Sequence, residues 1–150
     1  TPEALEPFKR KAPERKLPLL PHFEDDKAFV FDISLNVTLI EEDGAQTKIT
    51  ETNSKELYYS TVQQVIHHAS AGCGLSTGDL MGSGTISGTE EGSFGCMLEL
   101  SWGGKDEIVL NSGKKRAFLE DNDTVVLKGT AKENNFTVGF GSCSGRIVKS

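Results

Sequence analysis

The sequence predicts a mostly β protein, built from antiparallel strands with one main helix. Three observations lead to this fold class. A long segment in the first third alternates apolar and polar residues, short β-rich segments recur later between turn signals, and one window shows helical spacing. A chain of 150 residues is long enough to form one domain with a sizeable core.

Residues 1–21 are predicted to form an extended arm, and residues 22–150 a packed body. All five prolines lie within the first 21 residues. Proline fixes its own φ and disfavours helical backbone at the preceding residue, so this segment is expected to be extended and unpacked. Its basic residues are diluted by three glutamates, which is typical of a solvated surface segment.

The first strand is predicted over residues 29–40, FVFDISLNVTLI. Every second residue from Phe29 to Leu39 is apolar, and polar residues predominate between them. A period of two over this length indicates an antiparallel strand with one buried face. The turn at residues 41–44 leads into residues 46–52, which are expected to pair back.

A helix is predicted to follow this hairpin. Asn53 serves as its cap, Glu56 completes a capping box three residues later, and Gly72 ends it. Apolar residues recur between them at helical spacing. The helix carries His67 and His68, which point in different directions and cannot hold one ion as an i, i+4 pair would. We therefore expect packing or surface roles for both histidines.

Short strands are predicted after the helix. Residues 96–102 alternate, with Glu99 on the polar face, and Gly103-Gly104 suits a tight hairpin turn. Residues 124–127 and 136–140 are rich in β-branched or aromatic side chains, as strands are. Turn residues at 120–123 and 133–135 separate them.

Composition excludes several classes of protein. A net charge of −6 and a pI near 5.1 argue against nucleic acid or a membrane surface as partners. No apolar run approaches the roughly 20 residues of a membrane span, and no secretory signal is visible. The three scattered cysteines Cys73, Cys96 and Cys143 form no CxxC pair. They indicate free thiols in a reducing, cytoplasmic setting rather than a zinc site.

The glycine-rich stretch at residues 78–102, GDLMGSGTISGTEEGSFGCMLELSW, is the main candidate for a functional segment. Glycine permits positive φ and a close approach of the backbone to a ligand. Thr85 follows Gly84, where its hydroxyl and N–H could face a small anionic molecule. The alternative is that glycine only serves the turns of a hairpin-rich connection. The stretch matches neither a P-loop nor a dinucleotide fingerprint.

Glu99 is the candidate carboxylate of this segment. In one interpretation it faces the interior, where a charged group needs partners. In the other it is a rim glutamate on a solvated strand face, and the residues alone leave both open. The remaining carboxylates form runs at turn positions without the ligand spacing of a calcium loop, so they are expected to be solvated.

The segments GDLMGSGTISG, SFGCMLELSW and FTVGFGSCSGRIV together resemble the eukaryotic-type fumarylacetoacetase family. The similarity runs from residue 18 to residue 148, and the continuation through Glu99 and Trp102 is more specific than the Gly-Thr turn alone. The resemblance implies the mixed or antiparallel β-roll of the family's C-terminal domain and a homodimer. It also implies a hydrolase of tyrosine and phenylalanine catabolism, which splits a carbon–carbon bond of 4-fumarylacetoacetate to give fumarate and acetoacetate.

The resemblance also assigns residue roles. Glu99 falls on the glutamate that orients a catalytic histidine, and that histidine takes a proton from water. Thr85 falls on a threonine that contacts the substrate. A divalent ion, Mg²⁺ or Ca²⁺, is implied, and it would hold the diketone oxygens. Its carboxylate ligands lie upstream of the region that resembles this chain, so no metal ligand is expected here.

The chain departs from the family pattern by what it lacks. The family's N-terminal SH3-like domain and the first part of its catalytic domain, with the metal carboxylates, the histidine base and a lysine, have no counterpart here. His22, His67 and His68 do not fall on the base. The chain, which begins with Thr1, is thus expected to be a C-terminal part that needs the missing N-terminal part for activity. The alternatives are a related acylpyruvate or diketo-acid hydrolase, and a non-catalytic β module that binds a small acid.

Overall fold

The computed structural model describes residues 1–14, 16–25 and 27–149, and antiparallel sheets dominate it. Eight strands are present in this part of the chain: β1 (Lys9–Lys11), β2 (Phe29–Phe31), β3 (Ser34–Ile40), β4 (Gln46–Asn53), β5 (Ile108–Val109), β6 (Lys115–Arg116), β7 (Thr124–Glu133) and β8 (Phe136–Arg146). The largest sheet has the order β4-β3-β7-β8, and two small sheets pair β1 with β2 and β5 with β6. Every pairing is antiparallel. The predicted mostly β fold class is confirmed.

Two α-helices occur among the described residues. Helix α1 (Thr61–Ser70) has ten residues, and α2 (Met97–Leu100) is a single turn. Four 3-10 segments also occur in this part of the chain, one before β1 and three between later strands: Pro2–Phe8, Pro21–Phe23, Ser54–Glu56 and Glu91–Ser93. The expectation of one main helix is therefore met by α1.

The four-stranded sheet has a covered end and an open end on one face. Leu39 in β3 is fully buried, opposite Thr47 of β4 and Val125 of β7. Towards the other end of the same face, Leu127 is 48% exposed, and Phe140 of β8 is 52% exposed. The described residues therefore leave apolar surface of this sheet open.

The extended, unpacked arm predicted for residues 1–21 is wrong for its first half. Pro2–Phe8 forms a 3-10 helix and β1 pairs with β2. Phe8 is fully buried, with its ring stacked 5.7 Å from that of Phe136. Proline suits the first turn of a helix, and burying one large aromatic side chain contributes about 1.5–3 kcal/mol towards holding this segment on the sheet. The division of the chain at residues 21 and 22 remains a prediction.

The strand predicted over residues 29–40 is divided into β2 and β3. The break falls at Asp32, whose N–H donates to Phe8 O at 2.8 Å and whose carboxylate accepts from Asn53 Nδ2 at 2.7 Å. As a result β2 joins β1, while β3 lies between β4 and β7. Alternation specifies extended backbone, but it does not specify a single partner for the whole segment. The predicted return of residues 46–52 is confirmed as β4.

Helix α1 begins later than predicted. Asn53 caps the 3-10 turn Ser54–Glu56, where it accepts from Lys55 N at 2.9 Å. The capping box of α1 is instead Ser60 with Gln63: Gln63 N donates to Ser60 Oγ at 3.2 Å, and Ser60 N donates to Gln63 Oε1 at 3.0 Å. The sequence thus holds two cap signals, separated by extended backbone at Leu57.

The end of the helix agrees with the prediction. Gly72 has φ +80°, which glycine adopts without strain, and its N–H donates to Ala69 O at 3.0 Å. His67 and His68 near this end are exposed. Both histidines therefore lie at the surface of the described structure.

Candidate functional site

The glycine-rich stretch forms an irregular loop. Residues 79–88 adopt neither helix nor strand, and Gly78 and Gly84 have φ of +97° and +76°. Gly84 thus turns the backbone immediately before Thr85, whose side chain is exposed. The segment around Thr85 is therefore an exposed, irregular loop.

The glycine-rich loop packs closely against residues 92–95, which follow it in the chain. Gly88 N donates to Ser93 O at 3.0 Å, and Thr50 Oγ1 in β4 donates to Gly92 O at 3.2 Å. A Cβ on Gly95 would lie only 2.3 Å from Ile86 O. The two backbones therefore approach so closely that residue 95 has no room for a side chain.

The strand predicted over residues 96–102 is wrong, because its middle forms α2. Leu100 N donates to Cys96 O at 3.1 Å and Ser101 N to Met97 O at 2.8 Å, which is helical bonding. Methionine, leucine and glutamate are strong helix formers, and so short an alternation cannot outweigh that preference. Trp102 follows with φ +47° and is 68% exposed.

Glu99 lies on α2 and is exposed, so of the two interpretations that the sequence left open the solvated position is observed, on a helix instead of a strand. Its Oε2 accepts a hydrogen bond from Ser87 Oγ at 2.6 Å, and Cys96 Sγ lies 3.3 Å from the same oxygen. The Ser87 hydroxyl is the main cause of a lowered pKa for the Glu99 carboxyl, and the Cys96 thiol adds to it. The carboxylate is therefore ionised at neutral pH, and both of these side-chain contacts are made to its Oε2 atom.

Ser87 is a partner of Glu99 that the sequence pattern did not reveal. Its Oγ accepts the Gly95 N–H at 3.0 Å while its hydroxyl donates to Glu99. No periodic signal could have found it, because Ser87 lies in an irregular loop, 12 residues from Glu99. The hydrogen bonds of Ser87 with Gly95 and Glu99 therefore connect the loop that carries Thr85 with the segment that carries Glu99.

A cavity of about 410 Å³ lies between the loop and the open face of the sheet. Thr85 lines it from the loop, together with Gly84, Ile86 and Gly95. The sheet contributes apolar walls and two hydroxyls, from residues that include Leu35, Val37, Thr50, Thr52, Leu127 and Phe140. This volume lies in the range of small-molecule sites. The lining thus combines apolar side chains with the hydroxyls of Thr50, Thr52 and Thr85.

The histidines are not brought to Glu99. His67 and His68 line a separate groove of about 1200 Å³ between α1, residues 18–20 and the glycine-rich loop. The His22 ring lies beside that of Phe23 at a tilt of 42°, with ring centroids 4.3 Å apart. All three histidines belong to the described residues, and none contacts the Glu99 carboxylate in the hydrogen bonds found there.

A metal ion does not fit the described residues on their own. No group of three or more His, Cys, Asp or Glu side chains suited to an ion occurs among residues 1–14, 16–25 and 27–149. Two of the carboxylates expected to be solvated, those of Glu41 and Asp123, are instead buried and form ion pairs with basic side chains. Lys114 Nζ lies 2.9 Å from Glu41 Oε1, and Arg116 Nε lies 3.1 Å from Asp123 Oδ2. Asp26, in the first acidic run, lies outside the described residues.

The cysteines and helices add two further findings. Cys73, Cys96 and Cys143 are free thiols. Within the part of the chain that the structure describes, no helix has the length and apolar character needed to cross a membrane.

Comparison with known proteins identifies the family of this β domain and its glycine-rich loop. Residues 2–148 match the family described as fumarylacetoacetate (FAA) hydrolase, C-terminal, and the chain belongs to that family. The protein named fumarylacetoacetase from Arabidopsis thaliana is 45% identical over 152 residues, which cover 100% of this chain and 36% of the relative. Those from Bos taurus and Homo sapiens are 43% and 42% identical over 97% of the chain. The chain therefore spans about a third of the length of these relatives.

Proposed function

We propose that this chain is the C-terminal part of a fumarylacetoacetase, which hydrolyses the carbon–carbon bond of 4-fumarylacetoacetate to fumarate and acetoacetate. The observation that carries the proposal is that Thr85 lines a small cavity, while Ser87 in the same loop donates a hydrogen bond to the Glu99 carboxylate. The identity to proteins named fumarylacetoacetase along the whole chain supports it. Because those relatives are about three times as long, the activity belongs to the complete polypeptide.

Glu99 is proposed to orient a histidine supplied by the remainder of the polypeptide. An ionised carboxylate that accepts the N–H of an imidazole fixes its tautomer and stabilises the imidazolium. The histidine takes a proton from water, and the water oxygen adds to the carbonyl carbon. The carbon–carbon bond then breaks, its electron pair leaves with the acetoacetate fragment, and that carbon takes up a proton. The lowered pKa of Glu99 keeps the carboxylate available for this role.

Thr85 is proposed to bind the acid. Its side chain lines the cavity from the loop, and its hydroxyl can donate to a carboxylate or carbonyl oxygen. The apolar sheet residues around the cavity exclude water from the carbon chain of the ligand. In this role Thr85 sets affinity, whereas Glu99 sets turnover.

Further parts of the proposal concern the complete enzyme. It includes Mg²⁺ or Ca²⁺ held by ligands outside this chain, since the described residues do not fit an ion. It also includes a homodimer, with the missing N-terminal part packed against this domain, and a cytoplasmic location consistent with free cysteines. The open apolar face of the sheet supports the packing of further protein on this domain.

The test is a diketone-cleavage assay on the full-length polypeptide and its Glu99→Gln variant. Glutamine keeps the shape of the side chain but cannot stabilise an imidazolium, so we expect kcat to fall about a hundredfold or more while KM stays within about threefold. Glu91→Gln, on the neighbouring turn, is the control and should retain wild-type kcat. A raised KM with unchanged kcat would show that Glu99 binds substrate instead.

The same assay separates the alternative functions. Cleavage of acylpyruvates in preference to fumarylacetoacetate would identify a related diketo-acid hydrolase. Tight binding of a small acid by the full-length polypeptide, with no cleavage of any diketone, would establish a binding module and contradict the hydrolase.

A further inference from the structure

The structure holds a short chain of hydrogen bonds that ends on the Glu99 carboxylate. The Gly95 N–H donates to Ser87 Oγ at 3.0 Å, and Ser87 Oγ–H donates to Glu99 Oε2 at 2.6 Å. A hydroxyl has one proton to donate and accepts through its lone pairs. Because its lone pair takes the Gly95 N–H, the hydroxyl proton of Ser87 is directed at the carboxylate.

The Ser87–Glu99 bond is the stronger of the two side-chain contacts to this oxygen. Its 2.6 Å length lies within the 2.5–2.7 Å typical of O–H···O⁻ bonds, which are about twice as strong as neutral ones. The thiol of Cys96 lies farther away, at 3.3 Å, and is a weak donor. Polarisation along Gly95, Ser87 and Glu99 strengthens the terminal bond further.

The position of Ser87 itself is fixed by packing. Gly95 lies against Ile86 so closely that a Cβ there would come within 2.3 Å of Ile86 O, and Gly88 N donates to Ser93 O at 3.0 Å. These contacts hold the residues on both sides of Ser87 against the segment that leads into α2. The hydroxyl therefore reaches Glu99 from a backbone that cannot easily shift.

We propose that Ser87 is a positioning residue for Glu99, which fixes the carboxylate in the orientation that the catalytic histidine requires. This inference rests on the proposed function, because it assumes that Glu99 orients the histidine. Ser87 does not touch the substrate in this scheme. Its removal would leave an exposed glutamate side chain free to change rotamer, and orientation is what the carboxylate supplies to catalysis.

The experiment compares Ser87→Ala and Ser87→Thr in the full-length polypeptide. Hydrogen bonds to charged groups correspond to tenfold effects or more, so Ser87→Ala should lower kcat about tenfold with KM changed less than about twofold. Threonine keeps the hydroxyl, and Ser87→Thr should recover most of the lost kcat. Ser83→Ala is the matched control, since Ser83 donates to Gly84 O in the same loop and not to Glu99.

A ¹³C NMR titration of Glu99 provides a readout that loss of packing alone would not move. Ser87 lowers the pKa of Glu99, so Ser87→Ala should move the Glu99 titration midpoint to higher pH than in the wild-type protein. Cys96 is the titratable side chain that contacts the same oxygen, and Cys96→Ala should move the midpoint less, because the Ser87 hydroxyl is the main cause of the lowered pKa. A Glu99 midpoint that stays in place in Ser87→Ala would contradict the proposal.

Two comparisons make the outcome decisive. If Glu99→Gln keeps the wild-type kcat, the proposed function fails. If Glu99→Gln loses kcat while Ser87→Ala keeps the same kcat as Ser83→Ala, only the positioning role of Ser87 fails. In the Glu99→Gln background, Ser87→Ala should have no further effect. Should the Ser87 variants not fold, ¹³C NMR titration of Glu99 in the wild-type protein applies. A midpoint below 4.5 supports the bond, and one at or above 4.5 refutes it.

Discussion

The substitution Gly95→Ala tests whether the loop that carries Thr85 is fixed by its contact with the segment leading to α2. The new Cβ would lie 2.3 Å from Ile86 O and 2.7 Å from Thr85 Cγ2. Carbon and oxygen approach to about 3.3 Å in ordinary contacts, so one backbone must move by about 1 Å. The nearest atom belongs to the main chain, so a side-chain rotation cannot relieve the overlap.

We expect two consequences of that movement. Overpacking of this kind costs about 1–3 kcal/mol, and the free energy of unfolding should fall by this amount. The Gly95 N–H would also leave Ser87 Oγ, and Thr85 would be displaced from the cavity, so inhibitor affinity and kcat should both decrease.

The measurement is urea denaturation of the full-length polypeptide, with an inhibitor titration of the folded variant. Gly92→Ala is the matched control, because a Cβ there has no heavy atom within 4 Å and the residue does not require positive φ. That control should be neutral or slightly stabilising. If Gly95→Ala unfolds at the same urea concentration as Gly92→Ala and binds inhibitor equally well, the close contact does not fix the loop.

Two further predictions concern the loop and the buried carboxylate. Thr85→Val removes a hydroxyl but keeps the shape of the side chain, so inhibitor binding to the full-length polypeptide should weaken about threefold to tenfold. Thr89→Val is the control, and equal inhibition constants for the two variants would show that Thr85 does not contact the inhibitor. Lys114→Met should lower stability at neutral pH, since the pKa of Glu41 is held down by the Ser112 hydroxyl and then by Lys114. A carboxyl whose pKa is lowered in the folded state stabilises the fold at pH values above its usual pKa of 4.5. This contribution is lost as the pH falls through the folded-state pKa. The difference in the free energy of unfolding between Lys114→Met and the wild type should therefore shrink below pH 4.5. Urea denaturation across this pH range measures the stability difference, with Lys115→Met as the control. A stability difference that does not change with pH would contradict the role of the Lys114–Glu41 pair.

Much of the backbone conformation could be predicted from the sequence, because it depends on neighbouring residues. The alternation from Phe29 to Leu39 and the β-branched residues near the C-terminus identified strands, and Gly72 identified the end of the helix. The family also followed from short segments of sequence, as did Thr85 beside a turn-forming glycine. The local signals failed where two of them competed, as at Asn53 and Ser60, or where helix formers alternated with polar residues around Glu99.

Only the tertiary structure decided which segments meet. Asp32 divides one alternating run between two sheets because Phe8 and Asn53 bind it, and neither partner is near it in sequence. Ser87 and Glu99 are likewise 12 residues apart. Extended or helical backbone is determined by interactions within a few residues, whereas a hydrogen bond between distant side chains requires that packing first bring their backbones together. Glu99 is therefore a prediction from the sequence, whereas its hydrogen bond with Ser87 depends on the fold.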